Sequence, residues 1–158
     1  MAKSYWLMKC EASECTFAEL KERPDGVGHW RGVRNYQARN FIRDQMAVGD
    51  LVLFYNSNCD VPGVGGVAEI AMAAYPDPSA SDRKSDYYDP KSTAEEPRWF
   101  SVDISWKKPF KRFVPLTLLK ETPELSDMRV VQRGQRLSIQ PVTKEEFDTV
   151  VKLGNKKG

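Results

Sequence analysis

Residues 99–106, WFSVDISW, put the narrowest limit on the fold. Phe100, Val102, Ile104 and Trp106 alternate with Ser101, Asp103 and Ser105. A period of two sends successive side chains to opposite faces, so the stretch reads as a strand with one buried and one wet face. That reading assigns Asp103 to the solvent side. Strands need partners, and four more runs supply them: YWLMK (5–9), LVLFY (51–55), GVAEIAMAAY (66–75), where Gly65-Gly66 marks a bend, and RLSIQPV (136–142), which Pro141 is expected to end.

Helices interleave with these strands. Thr16-Phe17-Ala18-Glu19 and Thr143-Lys144-Glu145-Glu146 are capping boxes, in which hydroxyl and carboxylate each satisfy a backbone N–H at a helix start. Arg23-Pro24-Asp25-Gly26 stops the first helix, and Gly154 is expected to stop the second, which turns Phe147, Val150 and Val151 inward. A third helix spans about 34–46 and ends before Gly49-Asp50. Its inner face carries Ala38, Phe41, Ile42 and Met46, and its outer face Tyr36, Arg39, Asn40 and Arg43. PLTLLKE (115–121) adds a short helix. The pattern specifies an α+β fold: a curved sheet or partly closed barrel of about five to six strands with flanking short helices. At 158 residues it fits a single domain over 1–158. Residues 76–98 are too long and polar for an ordinary connection, and read as a functional flap or a mobile excursion with Tyr87 and Tyr88 as anchors.

Net charge is only +2, so bulk charge does not announce a nucleic-acid partner. Its distribution is more informative. Arg31, Arg34, Arg39 and Arg43 are close together, WKKPFKRF (106–113) adds four cations between aromatics, and acids gather in 77–96 and 121–127. Cys10, Cys15 and Cys59, with His29 the one histidine, have no metal-ligand spacing, so no metal and no cofactor is expected. Reduced cysteines, an N-terminal apolar run too short for a signal peptide and an apolar window broken by Glu69 lead to the expectation of a cytoplasmic protein with no membrane span.

WRGVRNYQARN (30–40) concentrates the chemistry. Trp30 and Tyr36 could form an aromatic wall for a stacked base, and Asn35 could pair with a base edge. The guanidinium groups of Arg31, Arg34, Arg39 and Arg43 suit phosphate. The competing readings are core packing for Trp30, helix capping for Asn35 and a solvated helix face for the arginines.

Four motifs in order, YWLMKCE, W-x-GVRNYQARN, Gly49-Asp50 with Phe54-Tyr55-Asn56-Ser57, and RLSIQPVT, resemble the EVE domain family over about residues 5–151. The resemblance implies a PUA-like mixed β-barrel with a pocket that holds a flipped nucleobase, often a modified one such as a 5-methylcytosine derivative. Carried over position by position, the implied ligand-binding residues are Trp30, Asn35, Tyr36, Tyr55 and Ser57, surrounded by Lys9, Glu11, Arg39 and Arg136 to Ser138. Two positions depart from the family pattern: Lys-Ser-Glu-Pro is Lys9-Cys10-Glu11-Ala12 here, and Tyr-His-Ser is Tyr55-Asn56-Ser57. The second removes a histidine that could act as general base. The expected activity is therefore a non-catalytic, monomeric module for DNA or RNA carrying a modified base. The rival readings are a hydrolase using Lys9 and Glu11, and a sensor of a nucleobase-like small molecule.

Overall fold

The computed structural model describes residues 4–11, 15–30, 33–57, 59–93, 95–132 and 137–156. Arg31 and Arg136, expected at the phosphate rim and the pocket, lie outside the described residues. Six strands form one sheet: β1 (Tyr5–Glu11), β2 (Val27–Trp30), β3 (Leu51–Ser57), β4 (Gly63–Pro76), β5 (Phe100–Pro115) and β6 (Ile139–Val142). Their order across the sheet is β2-β5-β4-β3-β1-β6. The β1–β3 pair is parallel and every other pair antiparallel, so the sheet is mixed. Hydrogen bonds do not close it; β2 and β6 are its two edges. The expected barrel is thus an open six-stranded sheet with flanking short helices.

β5 runs well beyond the stretch expected for it, and β4 begins three residues early, at Gly63. WKKPFKRF lies within β5, which runs on through Pro115. Four register shifts in the β4–β5 ladder insert extra residues, and such bulges bend a strand and increase its twist. At Gly66 a Cβ would overlap the Phe17 ring, so only glycine admits that ring against the strand. Pro141 lies inside β6, opposite Trp6, where an edge strand tolerates the missing donor.

Among the described residues, four α-helices flank the sheet: α1 (Phe17–Glu22), α2 (Tyr36–Asp44), α3 (Leu116–Glu121) and α4 (Lys144–Gly154). Both capping boxes form, at Thr16 and at Thr143. Gly154 is the last residue of α4, and the Phe110 ring fills the place of its missing Cβ; close packing, more than helix termination, requires glycine there. Helices and sheet enclose two cores. Trp6, Met8, Phe17, Leu20, Phe41, Ile42, Phe54, Ile70 and Ile104 pack on one face. Leu7, Leu53, Tyr55, Val64, Val114, Leu119, Phe147 and Val150 pack on the other.

Candidate functional site

β2, absent from the sequence expectation, brings the site together. It antiparallels β5, with Gly28 opposite Ile104 and Trp30 opposite Val102. A Cβ at Gly28 would come within 2.8 Å of Leu20 Cδ1, so the bare backbone lets α1 lie close against the strand. Between them is a cavity of about 110 Å³ lined by Cys10, Cys15, Leu20, Arg23, Gly28, His29, Trp30, Phe54 and Ile104. Trp30, half-buried, meets Phe54 edge-to-face, the centroids 6.0 Å apart and the planes at 88°. Asn56 fixes the neighbouring chain: its Nδ2 donates to the carbonyls of Cys10 at 3.1 Å and Cys15 at 2.8 Å. The residue standing where the family pattern has histidine thus supports the cavity from beneath.

The expected pocket residues do not converge on this cavity. Strand alternation places Tyr55 on the opposite face of the sheet from Phe54. Tyr55 is 3% exposed in the second core and registers with Lys9, as Ser57 does with Glu11. Lys9 Nζ lies 5.8 Å from the Tyr55 ring centroid. Burial pushes the Tyr55 phenol up to about 12, with a smaller contribution from the charge of Cys59, and burial lowers Lys9. Ser138 accepts the Lys9 N–H on its backbone carbonyl at 2.8 Å. Lys9, Glu11, Tyr55, Ser57 and Ser138 are therefore not part of the Trp30 cavity lining.

The helix-start residues are occupied otherwise. Asn35 caps α2, its Oδ1 accepting from Ala38 N at 3.0 Å. Tyr36 is 52% exposed and stacks on Trp99 at 4.9 Å. Arg39 covers the Tyr36 ring at 4.8 Å and donates to the Arg98 carbonyl at 3.0 Å. Arg34 donates to Asp77 at 3.0 Å and to the Tyr87 carbonyl at 2.6 Å, and lies 5.2 Å from the Trp99 centroid. Arg34 was expected at a phosphate rim; its guanidinium instead holds the 76–98 segment against α2. Arg43 lies at the surface, paired with Asp44 at 2.8 Å. Residues 76–98 are accordingly no loosely anchored flap: Asp77 N bonds Trp99 O, Asp89 N bonds Ala80 O, and Trp99 Nε1 donates to Asp89 at 2.7 Å.

Sequence reasoning also missed a polar cluster. Asp103 is buried; it accepts from Tyr75 Oη at 2.5 Å and its Oδ1 lies 2.8 Å from His29 Nδ1. Tyr75 and His29 satisfy a carboxylate that simple alternation had assigned to water. Elsewhere, a larger open groove of about 540 Å³ runs beside Tyr5, Trp6, Pro141 and Lys144. It offers no free aromatic face of the Trp6 ring, which is 2% exposed and donates its N–H to Asp50 at 3.0 Å.

A family model described as EVE domain matches residues 4–153. The chain belongs to the EVE domain family. Thymocyte nuclear protein 1 from Homo sapiens is 41% identical to this EVE domain over 170 residues, covering 97% of this chain and 75% of the relative. A crystal structure of a Pseudomonas syringae protein matches with a TM-score of 0.88 and 44% identity, covering 94% of this chain and 98% of that one. The crystal structure of human THYN1 protein in complex with 5-methylcytosine containing DNA matches with a TM-score of 0.90 and 40% identity, covering 99% and 100%. Among the described residues of this EVE domain, no helix is long and apolar enough to cross a membrane.

Proposed function

We propose that this EVE domain binds DNA and holds one base, of the 5-methylcytosine kind, out of the stack in the cavity beside Trp30. The observation that carries the reading is the half-buried Trp30 ring, set edge-to-face on Phe54 at the wall of a mostly apolar cavity, in a fold that a relative crystallised with 5-methylcytosine DNA shares. A base offers a π face to such a wall, and the 5-methyl group adds apolar surface that an apolar lining favours. Extruding a base costs a few kcal/mol of unstacking, least in single strands or at mispairs, so those substrates bind better than intact duplex.

The test is binding of oligonucleotides with one central cytosine or 5-methylcytosine, single-stranded and duplex, to the parent and to Trp30→Ala. Loss of a stacking wall removes about 1–3 kcal/mol of binding, which is about 5- to 150-fold in Kd. Trp6→Ala is the comparison for stability, because truncating a fully buried Trp costs about 3–5 kcal/mol. A Trp30→Ala protein that keeps the parent's affinity, or that melts as low as Trp6→Ala, overturns the assignment.

A further inference from the structure

Among the nine described residues that line the Trp30 cavity, two carry basic side chains and none is a carboxylate. One of the two, His29, is committed through Nδ1 to Asp103 at 2.8 Å. The other is Arg23. Its side chain has no ion pair among the described residues, and it is exposed where it reaches the cavity. Its backbone is fixed: Arg23 caps the end of α1, its N–H bonding Leu20 O at 3.2 Å. Pro24 follows directly, and the turn completes through positive φ at Asp25 (57°) and Gly26 (67°). A cation whose backbone is fixed beside an aromatic cavity can reach an anion covalently attached to whatever the cavity holds. Lys21 continues the path over α1, its Nζ 5.0 Å from the centroid of Trp106, which stacks on Phe17 at 5.8 Å.

We propose that Arg23 binds the phosphate adjoining the base in the cavity, and that the strand leaves across α1 past Lys21 and Trp106. The ligand is then a nucleotide within a phosphodiester strand, not a free base or nucleoside. Guanidinium matches phosphate with parallel donors. The inference rests on the proposed function for its base cavity. It places the phosphate contact at Arg23 rather than at Arg34 and Arg39, which the 76–98 segment engages.

The experiment compares 5-methyl-2′-deoxycytidine, its 3′- and 5′-monophosphates and a single-stranded oligonucleotide carrying one 5-methylcytosine, against the parent, Arg23→Gln, Arg23→Lys and Trp30→Ala. For the parent, a monophosphate should bind more tightly than the nucleoside. Arg23→Gln should erase that difference, weaken the oligonucleotide about ten-fold and lower the slope of log K against log salt by about one. Arg23→Lys should retain the salt slope. If Arg23→Gln changes neither affinity nor slope while Trp30→Ala weakens every ligand, the phosphate assignment is wrong and the base cavity stands. If neither variant changes binding, the cavity reading itself falls.

Discussion

Neighbours along a strand are separated by the thickness of the sheet, and Phe54 and Tyr55 illustrate the consequence. Phe54 backs the Trp30 cavity while Tyr55 sits in the second core beneath Lys9. The difference is open to titration. The Tyr55 phenol titrates at about 12 in the fold against an ordinary value near 10. Between those values the native state keeps a proton that the unfolded chain releases, so stability falls as pH rises through this window. Urea unfolding at pH 9, 10 and 11 should show that loss, and Tyr55→Phe should remove its phenol component. Lys9 contributes with the opposite sign, since burial lowers its value and the cost of burying its charge vanishes at high pH. A Tyr55→Phe protein with the parent's alkaline profile contradicts the buried-phenol account.

Arginine and aromatic rings form a ladder that joins α2 to a segment more than forty positions away. Arg39 lies over Tyr36, Tyr36 on Trp99, and Arg34 against both Trp99 and Tyr87. The Asp77 carboxylate at its end is fully buried, and removing the cation from such a pair costs on the order of 3 kcal/mol. Arg34→Ala should therefore lower the urea midpoint and open residues 76–98 to limited proteolysis, while the salt slope of DNA binding stays that of the parent. A changed salt slope with an unchanged cleavage pattern would place Arg34 at the phosphate after all.

The elements whose determinants are local were legible in the sequence. Thr16, Thr143 and their glutamates cap as their spacing requires, the 3.6-residue pattern of Ala38, Phe41 and Ile42 buries the right face of α2, and β1, β3 and β6 fall where the apolar runs lie. What depends on distant partners was not. Val27–Trp30 is a strand because β5 pairs with it, and nothing in VGHW alone signals that. Asp103 is buried because His29 and Tyr75 reach it, overriding an alternation that pointed it to water. The aromatic residue of the candidate site was found from WRGVRNYQARN, but its cavity partners Cys10, Cys15, Arg23 and Phe54 come from three other elements or their ends, and no spacing links them.

At the scale of the whole molecule, the two cores share one sheet, so damage to either is felt by both. Leu119 is fully buried on the face away from Trp30. Leu119→Ala should cost about 2–5 kcal/mol. It should also shift the unfolding curves followed by tryptophan fluorescence and by far-UV circular dichroism together, because both cores are built on the same sheet. Two separated transitions would mean that the faces unfold independently.

β2 is an edge strand whose sheet partner, β5, begins at Phe100. The His29–Asp103 contact across that pair spans 74 positions. Closing so long a loop is slow relative to forming α1 or the β3–β4 hairpin, so the wall that carries Trp30 is among the last parts of the chain to be backed. During synthesis the ribosome must release β5 before the cavity has a floor. A nascent chain halted short of that point displays the Trp30 ring without the strand that backs it, and the cavity is complete only when the second half of the polypeptide has been made.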